Sequence, residues 1–300
     1  MKRSKTDLLA LAGQYANDRR IPAATVVKEI LHYEILYAMV QSGAAPQLAF
    51  QGGTALRLCY QGTRYSEDLD FAGGETFDPE TMAGFSQILE AEIAAAYGLQ
   101  VDIKPPKQKD SDSGVSVARW SARVQIPQLD RSAPQKQVIN IEVAAVPAHD
   151  IDLVPVVANY PHLPAPFRQM LVSSETQREI LADKIIALGA RDFLKARDIW
   201  DIKFLTDRQI ALDMSLVSKK LVDYGWSVDD FKGKLETRLA ELDTPETAKA
   251  FHQEMSRFVD ASVATQLANP KMASIYLRRA KDLGQSVIDA NPSPARRFRP

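Results

Sequence analysis

Cysteine, histidine and any excess of charge are nearly missing from this 300-residue chain. Its one cysteine, Cys59, excludes an intrachain disulfide framework and any zinc site built on clustered cysteines. The four histidines, His32, His149, His162 and His252, stand too far apart to form a histidine-rich metal motif. No run approaches the roughly 18 apolar residues of a membrane helix. Leu8-Leu9-Ala10-Leu11-Ala12 is short for a signal core and leads into Asp18-Arg19-Arg20, so a cytoplasmic protein without membrane contact is expected. Lys and Arg number 37 against 38 Asp and Glu, so a polyanionic partner must be met by a local patch. Neither a Gly-x-x-x-x-Gly-Lys loop nor a kinase signature occurs, which disfavours P-loop phosphoryl chemistry. What remains is an ordinary globular mix, 45% hydrophobic and 25% charged, long enough for two domains.

The pattern along the chain predicts an α+β fold. Val26, Ile30, Leu31, Tyr33, Ile35, Leu36 and Met39 form a helical apolar stripe that Gly43 closes. Short strands are expected at Leu48–Phe50 and Asp68–Phe71, with a short helix over Ala55–Tyr60 between them and a further helix over Met82–Tyr97. Strands are expected at Gln100–Ile103, Val115–Ile126 and Gln137–Val146, with the polar stretch Lys104–Gly114 as an exposed loop. Five prolines between Pro147 and Pro166 mark a linker, and the rest reads as helix: 175–188, 196–205, 214–224, 228–242, 245–259 and 271–288. This gives an N-terminal lobe, residues 1–165, with a small mixed β-sheet flanked by helices, then a mostly helical lobe, residues 166–300. Cys59 and the three tryptophans are expected in packing roles.

Chemistry concentrates in Phe50-Gln51-Gly52-Gly53-Thr54-Ala55-Leu56-Arg57 and Arg64-Tyr65-Ser66-Glu67-Asp68-Leu69-Asp70-Phe71. A Gly-Gly-Thr turn opening a helix lets backbone N–H groups approach a phosphate, and the helix dipole favours the anion. On a strand, Asp68 and Asp70 share a face and repel, so they call for a cation; Mg²⁺ or Mn²⁺ with oxygen ligands is the natural one. Each motif alone is common. Their order (strand, Gly-Gly-Thr, helix, strand, Asp-x-Asp) is what carries weight. Glu142, on the face of its strand opposite Ile139, Ile141 and Val143 and shared with Asn140, is the candidate third carboxylate of a two-metal site. Further on, Lys184, Arg191 and Asp198 are seven apart, near one face of a straight helix, although Gly189 is expected to break it.

This order resembles the nucleotidyltransferase superfamily related to DNA polymerase β. More narrowly, it resembles the AbiEii/AbiGii toxin family, including the MenT-like toxins. Leu181-Ala182-Asp183-Lys184-Ile185-Ile186-Ala187-Leu188, Arg191 and Arg197-Asp198-Ile199-Trp200-Asp201-Ile202 are similar to that family's C-terminal motifs. The resemblance implies a metal-dependent transfer of nucleotides from an NTP, with the 3′ end of tRNA as acceptor and blocked translation as the effect. Asp68, Asp70 and Glu142 are then metal ligands. Lys184 and an aspartate, Asp198 or Asp201, are catalytic residues supplied by the helical lobe, and Gly52, Gly53, Thr54, Ser66, Arg191 and Arg197 contact the nucleotide. It also implies a cognate antitoxin, AbiEi-like or kinase-like; a monomer is expected. Two other readings are transfer to a small molecule or protein, as in AMPylation, and a catalytically silent nucleotide- or RNA-binding module.

Two regional expectations complete the picture. Residues 271–300 carry Lys271, Arg278, Arg279, Lys281, Arg296, Arg297 and Arg299 against Asp282 and Asp289, a local excess suited to RNA phosphates. Ser66 would share the Asp68 and Asp70 face if the strand extended back to it, and a phosphate there would add about −1.5 to −2 charge beside the metal ligands.

Overall fold

The apolar stripe between Val26 and Met39 forms the buried helix α2 (Ala23–Gln41), packed on α1 (Lys5–Arg19). The structure is a computed structural model that describes residues 4–43, 47–110, 115–126 and 136–290. α2 is covered almost all round and buries Glu29, His32 and Glu34 together with its apolar residues. Their polar groups need internal partners, and the site below shows where two of them find these.

Seven strands form one mixed sheet: β1 (Ala49–Gln51), β2 (Leu69–Ala72), β3 (Val101–Asp110), β4 (Ser116–Gln125), β5 (Lys136–Ala144), β6 (Ile151–Pro155) and β7 (Leu171–Glu175). Their spatial order is β3-β4-β5-β2-β1-β7-β6. β2 runs parallel to β5 and antiparallel to β1, and β1 runs parallel to β7. α3 (Gly52–Cys59) follows β1, α4 (Phe85–Tyr97) precedes β3, and the short α5 (Ala165–Arg168) precedes β7. The alternation of β4 and β5 sets the two faces of the sheet. Ala118, Trp120, Ala122, Ile139, Ile141 and Val143 are buried on one, with Trp120 edge-on to Phe85 of α4. On the other, Arg119 is exposed and Ser121, Asn140 and Glu142 are half-buried. That open face carries the candidate site.

Two stretches differ from the sequence expectation. Residues 104–110, expected as loop, continue β3 in antiparallel pairing with β4. The register shifts between Lys104 and Lys107, so Pro105 and Pro106 stand in an irregularity where their missing N–H groups cost no ladder bond; residues 111–114 lie outside the described residues. The proline-rich crossing contains β6 and α5, and Leu171–Glu175, beyond it, is a strand where no strand was expected, the first expected helix beginning at Glu175. Val172, Ser174 and Glu175 are buried while Leu171 is exposed, and so short a run has no periodicity of its own to read.

The described residues through Ser174, Val115 apart, form one compact unit, and those from Glu175 onward form the other. The second is helical: α6 (Gln177–Ala190), α7 (Ala196–Asp207), α8 (Met214–Asp223), α9 (Val228–Glu241), α10 (Pro245–Met255), α11 (Ala261–Leu267) and α12 (Pro270–Ala290). Thr176, Asp213, Ser227 and Thr244 stand at N-cap positions and accept from first-turn amides, so most of these starts are written in the sequence. α6 packs against α7, α8 and α9, and α12 packs against α7, α9 and α10. Gly189 does not break α6. It lies where Phe231 comes close, and an added Cβ would sit 2.7 Å from that ring. Cys59 and Trp120 are core residues, and Trp200 stacks on Tyr276 with centroids 4.7 Å apart.

A charged cluster is sealed inside the helical unit. The Lys220 Nζ, wholly buried, lies 2.8 Å from Glu175, 2.7 Å from Glu179 and 3.1 Å from Asp183. Burial opposes the lysine's charge, but the Asp183 and Glu175 carboxylates outweigh it and raise the pKa well above its ordinary value. Burial, reinforced by Asp183, also pushes Glu175 well above the usual carboxylate range.

Candidate active site

The two glycines of the motif head α3, and each is required for a separate reason. Gly52 has φ +76°, and a Cβ there would also lie 3.0 Å from Asp70 Oδ2. At Gly53 a Cβ would meet the buried Arg64 guanidinium. Gln51 at the N-cap makes no side-chain capping bond, so the first amides of α3 remain donors for an anion.

Asp68 arrives on an irregular segment between α3 and β2 that is tied down from three sides. Arg57 grips Glu29 of α2 through Nε at 2.9 Å and Nη2 at 3.3 Å, and donates from Nη1 to the Gly62 carbonyl at 2.9 Å. His32 Nε2 donates to the Glu67 carbonyl at 3.1 Å; a carbonyl only accepts, so the hydrogen sits on Nε2. Burial holds this imidazole neutral, its pKa lowered to about 4. The Thr54 hydroxyl donates to the Asp68 carbonyl. Thr54 is fully buried, so its hydroxyl serves the segment and only its backbone is left for a nucleotide.

Strand register then aligns the acids. Asp70 pairs with Gln51 on β1 and with Glu142 on β5, which in turn pairs with Arg119 on β4. Asp68, one step before β2, accepts at Oδ1 from the Asn140 backbone N–H at 3.1 Å and from its side-chain amide at 3.0 Å. The Glu142 carboxylate lies 2.8 Å from Arg119 Nε. Ser66 lies in the irregular segment, since β2 begins only at Leu69, so strand alternation does not set its direction.

These residues fit a divalent cation in donor type through their half-buried carboxylate oxygens, and the start of α3 beside Asp70 suits the anion such a cation would carry. Among the described residues no group of three or more His, Cys, Asp or Glu side chains is placed to hold a metal ion, so Asp68, Asp70 and Glu142 do not form the expected three-carboxylate set. Asp70 is the register partner of Glu142, Asp68 stands two residues before Asp70, and Glu142 is paired with Arg119. Mg²⁺ is ordinarily held by one or two carboxylates and completed by water and substrate phosphate, so two suffice.

Within the helical unit, Lys184 of α6 meets Asp198 and Asp201 of α7 at 2.8 and 2.9 Å. Both aspartates lie on the same side of α7, one turn apart, and both are buried. Arg191, the C-cap of α6, lies 3.3 Å from Asp198. Arg197 turns away to Glu254, 3.6 Å distant, and covers the Phe258 ring. Burial and then Arg191 lower the pKa of the neighbouring Lys195. Sequence reasoning passed over Arg64, Arg119 and Ser121. The polar alternation Arg119-x-Ser121-x-Arg123 was the available signal for the last two.

Residues 34–277 match the family model described as "Nucleotidyl transferase AbiEii toxin, Type IV TA system". No curated protein matches. Among solved structures, the chain is similar to MenT4, a nucleotidyltransferase toxin of Mycobacterium tuberculosis H37Rv, at 18% identity and TM-score 0.55, over 95% of this chain and 99% of that one. It is also similar to JHP933 of Helicobacter pylori, at 18% identity and TM-score 0.50, over 90% and 95% of the two chains. At this identity the structures establish the fold.

Proposed function

This chain belongs to the AbiEii nucleotidyltransferase toxin family of type IV toxin–antitoxin systems, and from that premise we propose that it transfers nucleotides from an NTP to the 3′ end of tRNA and so blocks translation. The observation that carries the chemistry is the closeness of Asp70 to the glycine turn: its carboxylate lies against Gly52, at the head of a helix whose N-cap makes no side-chain bond. Asp68 and Asp70 would hold Mg²⁺ or Mn²⁺, which when bound neutralises phosphate charge and polarises the α-phosphoryl group. The amides of Gly52, Gly53 and Thr54 bind triphosphate oxygens. Glu142, once released by Arg119, takes the proton of the acceptor hydroxyl. Lys184, with Asp198, Asp201 and Arg191, serves the same reaction on the strength of the family motif and of their convergence.

The tRNA acceptor, the metal requirement and the role of each site residue are parts of this proposal. Incubation with each α-labelled NTP, total RNA and cell extract tests the acceptor: label on the 3′ end of tRNA supports it. Label on protein or on a small molecule favours an AMPylation-like activity, and no incorporation favours a silent binding module. An antitoxin partner follows from the family. Silencing through Ser66 is the kinase-like version of that partner, and an aspartate variant as active as wild type counts against it. For the α12 patch, Lys281 is already paired with Asp243, while Arg296, Arg297 and Arg299 lie outside the described residues.

A further inference from the structure

We propose that Asn140 and Ser121 are positioning residues for the Asp68 carboxylate, a two-step relay across three strands that aims one oxygen of Asp68 at the cation site. The inference rests on the metal role given to Asp68 above. The geometry is that of a chain. Ser121 Oγ on β4 donates to Asn140 Oδ1 on β5 at 2.9 Å, and Asn140 donates both its backbone N–H and its Nδ2 to the same oxygen, Oδ1, of Asp68. Ser121 and Asn140 are register partners, and Asn140 faces the position just before β2.

The direction of the side-chain amide is forced. Only an N–H can face a carboxylate oxygen, because a carbonyl turned the same way would set two acceptors against each other. The Asn140 Oδ1 must then point toward β4, where the Ser121 hydroxyl receives it. With two donors committed to Oδ1, that oxygen is occupied and its partner Oδ2 is left as the ligand. Meanwhile Thr54 fixes the Asp68 backbone from the other side. Uncharged donors suit this task. They orient the carboxylate without neutralising it, whereas a lysine or arginine at position 140 would compete with the cation. Glu142, whose partner is Arg119, shows the other case one row away.

Outer partners of metal ligands typically change metal affinity by about 10–100-fold when lost. The test is Mn²⁺ binding to the full-length chain, followed by electron paramagnetic resonance, with thermal melting recorded for every variant. Asn140→Ala should weaken Mn²⁺ binding by about 10-fold or more, Ser121→Ala by about 3-fold, and Ser121→Thr, which restores the hydroxyl, should bind as wild type does. A residue that only stabilises the sheet would lower the melting temperature without this ordered loss and rescue. Should Asn140→Ala fail to fold, Ser121→Ala decides. Wild-type Mn²⁺ affinity in the folded Asn140 and Ser121 alanine variants, with loss in Asp68→Ala, overturns the positioning role alone. Wild-type affinity in Asp68→Ala overturns both this role and the metal assignment beneath it.

Discussion

Asp68 and Glu175 both stand at the end of a strand, Asp68 just before β2 and Glu175 closing β7, and their surroundings are opposite. Asp68 is half-buried and its partners on Oδ1 are the uncharged N–H groups of Asn140. Glu175 is fully buried beside an equally buried ammonium, Lys220, with Glu179 and Asp183 around it. The first arrangement leaves a carboxylate partly open and without a cationic partner on the oxygen that Asn140 holds, as a cation ligand requires. The second spends every charge internally, as a structural joint between the start of α6 and α8 requires. Acid content alone would not separate the two; burial and the charge of the partner do.

Several substitutions break this contrast, beginning with the largest effect. Asp68→Ala or Asp70→Ala should reduce nucleotide transfer by more than the ~100-fold that loss of an outer partner costs, with the melting temperature nearly unchanged. A folded variant that transfers as wild type does would remove it from the metal site. Lys220→Met should do the reverse to stability. It leaves Glu175, Glu179 and Asp183 without their cation, and breaking a buried pair costs about 3–5 kcal/mol, measurable by denaturant unfolding.

A pH profile sharpens the comparison at the segment that delivers Asp68. His32 is neutral and buried, with its pKa lowered from 6.5 to about 4. A depressed histidine adds stability that is complete above the unfolded value and is lost as pH falls through the interval from 6.5 to 4, because the unfolded chain takes up the proton first. The contribution is about 3 kcal/mol, so the melting temperature of wild type should fall more than that of His32→Gln between pH 7 and pH 4. Parallel profiles would contradict the assignment. Smallest of all, Arg119→Ala should change stability by about 0–1 kcal/mol, because its pair with Glu142 is solvent-accessible. A larger loss would mean that the pair is a structural one.

How much of this was legible differs between the two units for a physical reason. Asp68, Asp70 and the two glycines fall within one short stretch, residues 52–70, so local spacing exposed them. The face that Glu142 occupies followed from the alternation of one apolar strand, whereas its pairing with Asp70 is a matter of register. Arg119, Ser121 and the grip of Asn140 on Asp68 depend on cross-strand register, which no local pattern fixes. The Lys220 cluster joins residues 175–183 to residue 220, and each of its acids reads in the sequence as an ordinary charge on a helix. The strands at 104–110 and 171–175 were missed because pairing, not propensity, makes them strands.

Label position in transferred product tests the nucleotidyl-transfer site most directly. Parallel reactions with NTP labelled at the α- or γ-phosphorus, run on wild type and on Asp70→Ala, should place α-label in RNA with wild type only, while γ-label leaves as pyrophosphate. Transfer of γ-label to the acceptor, or equal α-label transfer by the Asp70 variant, would contradict it.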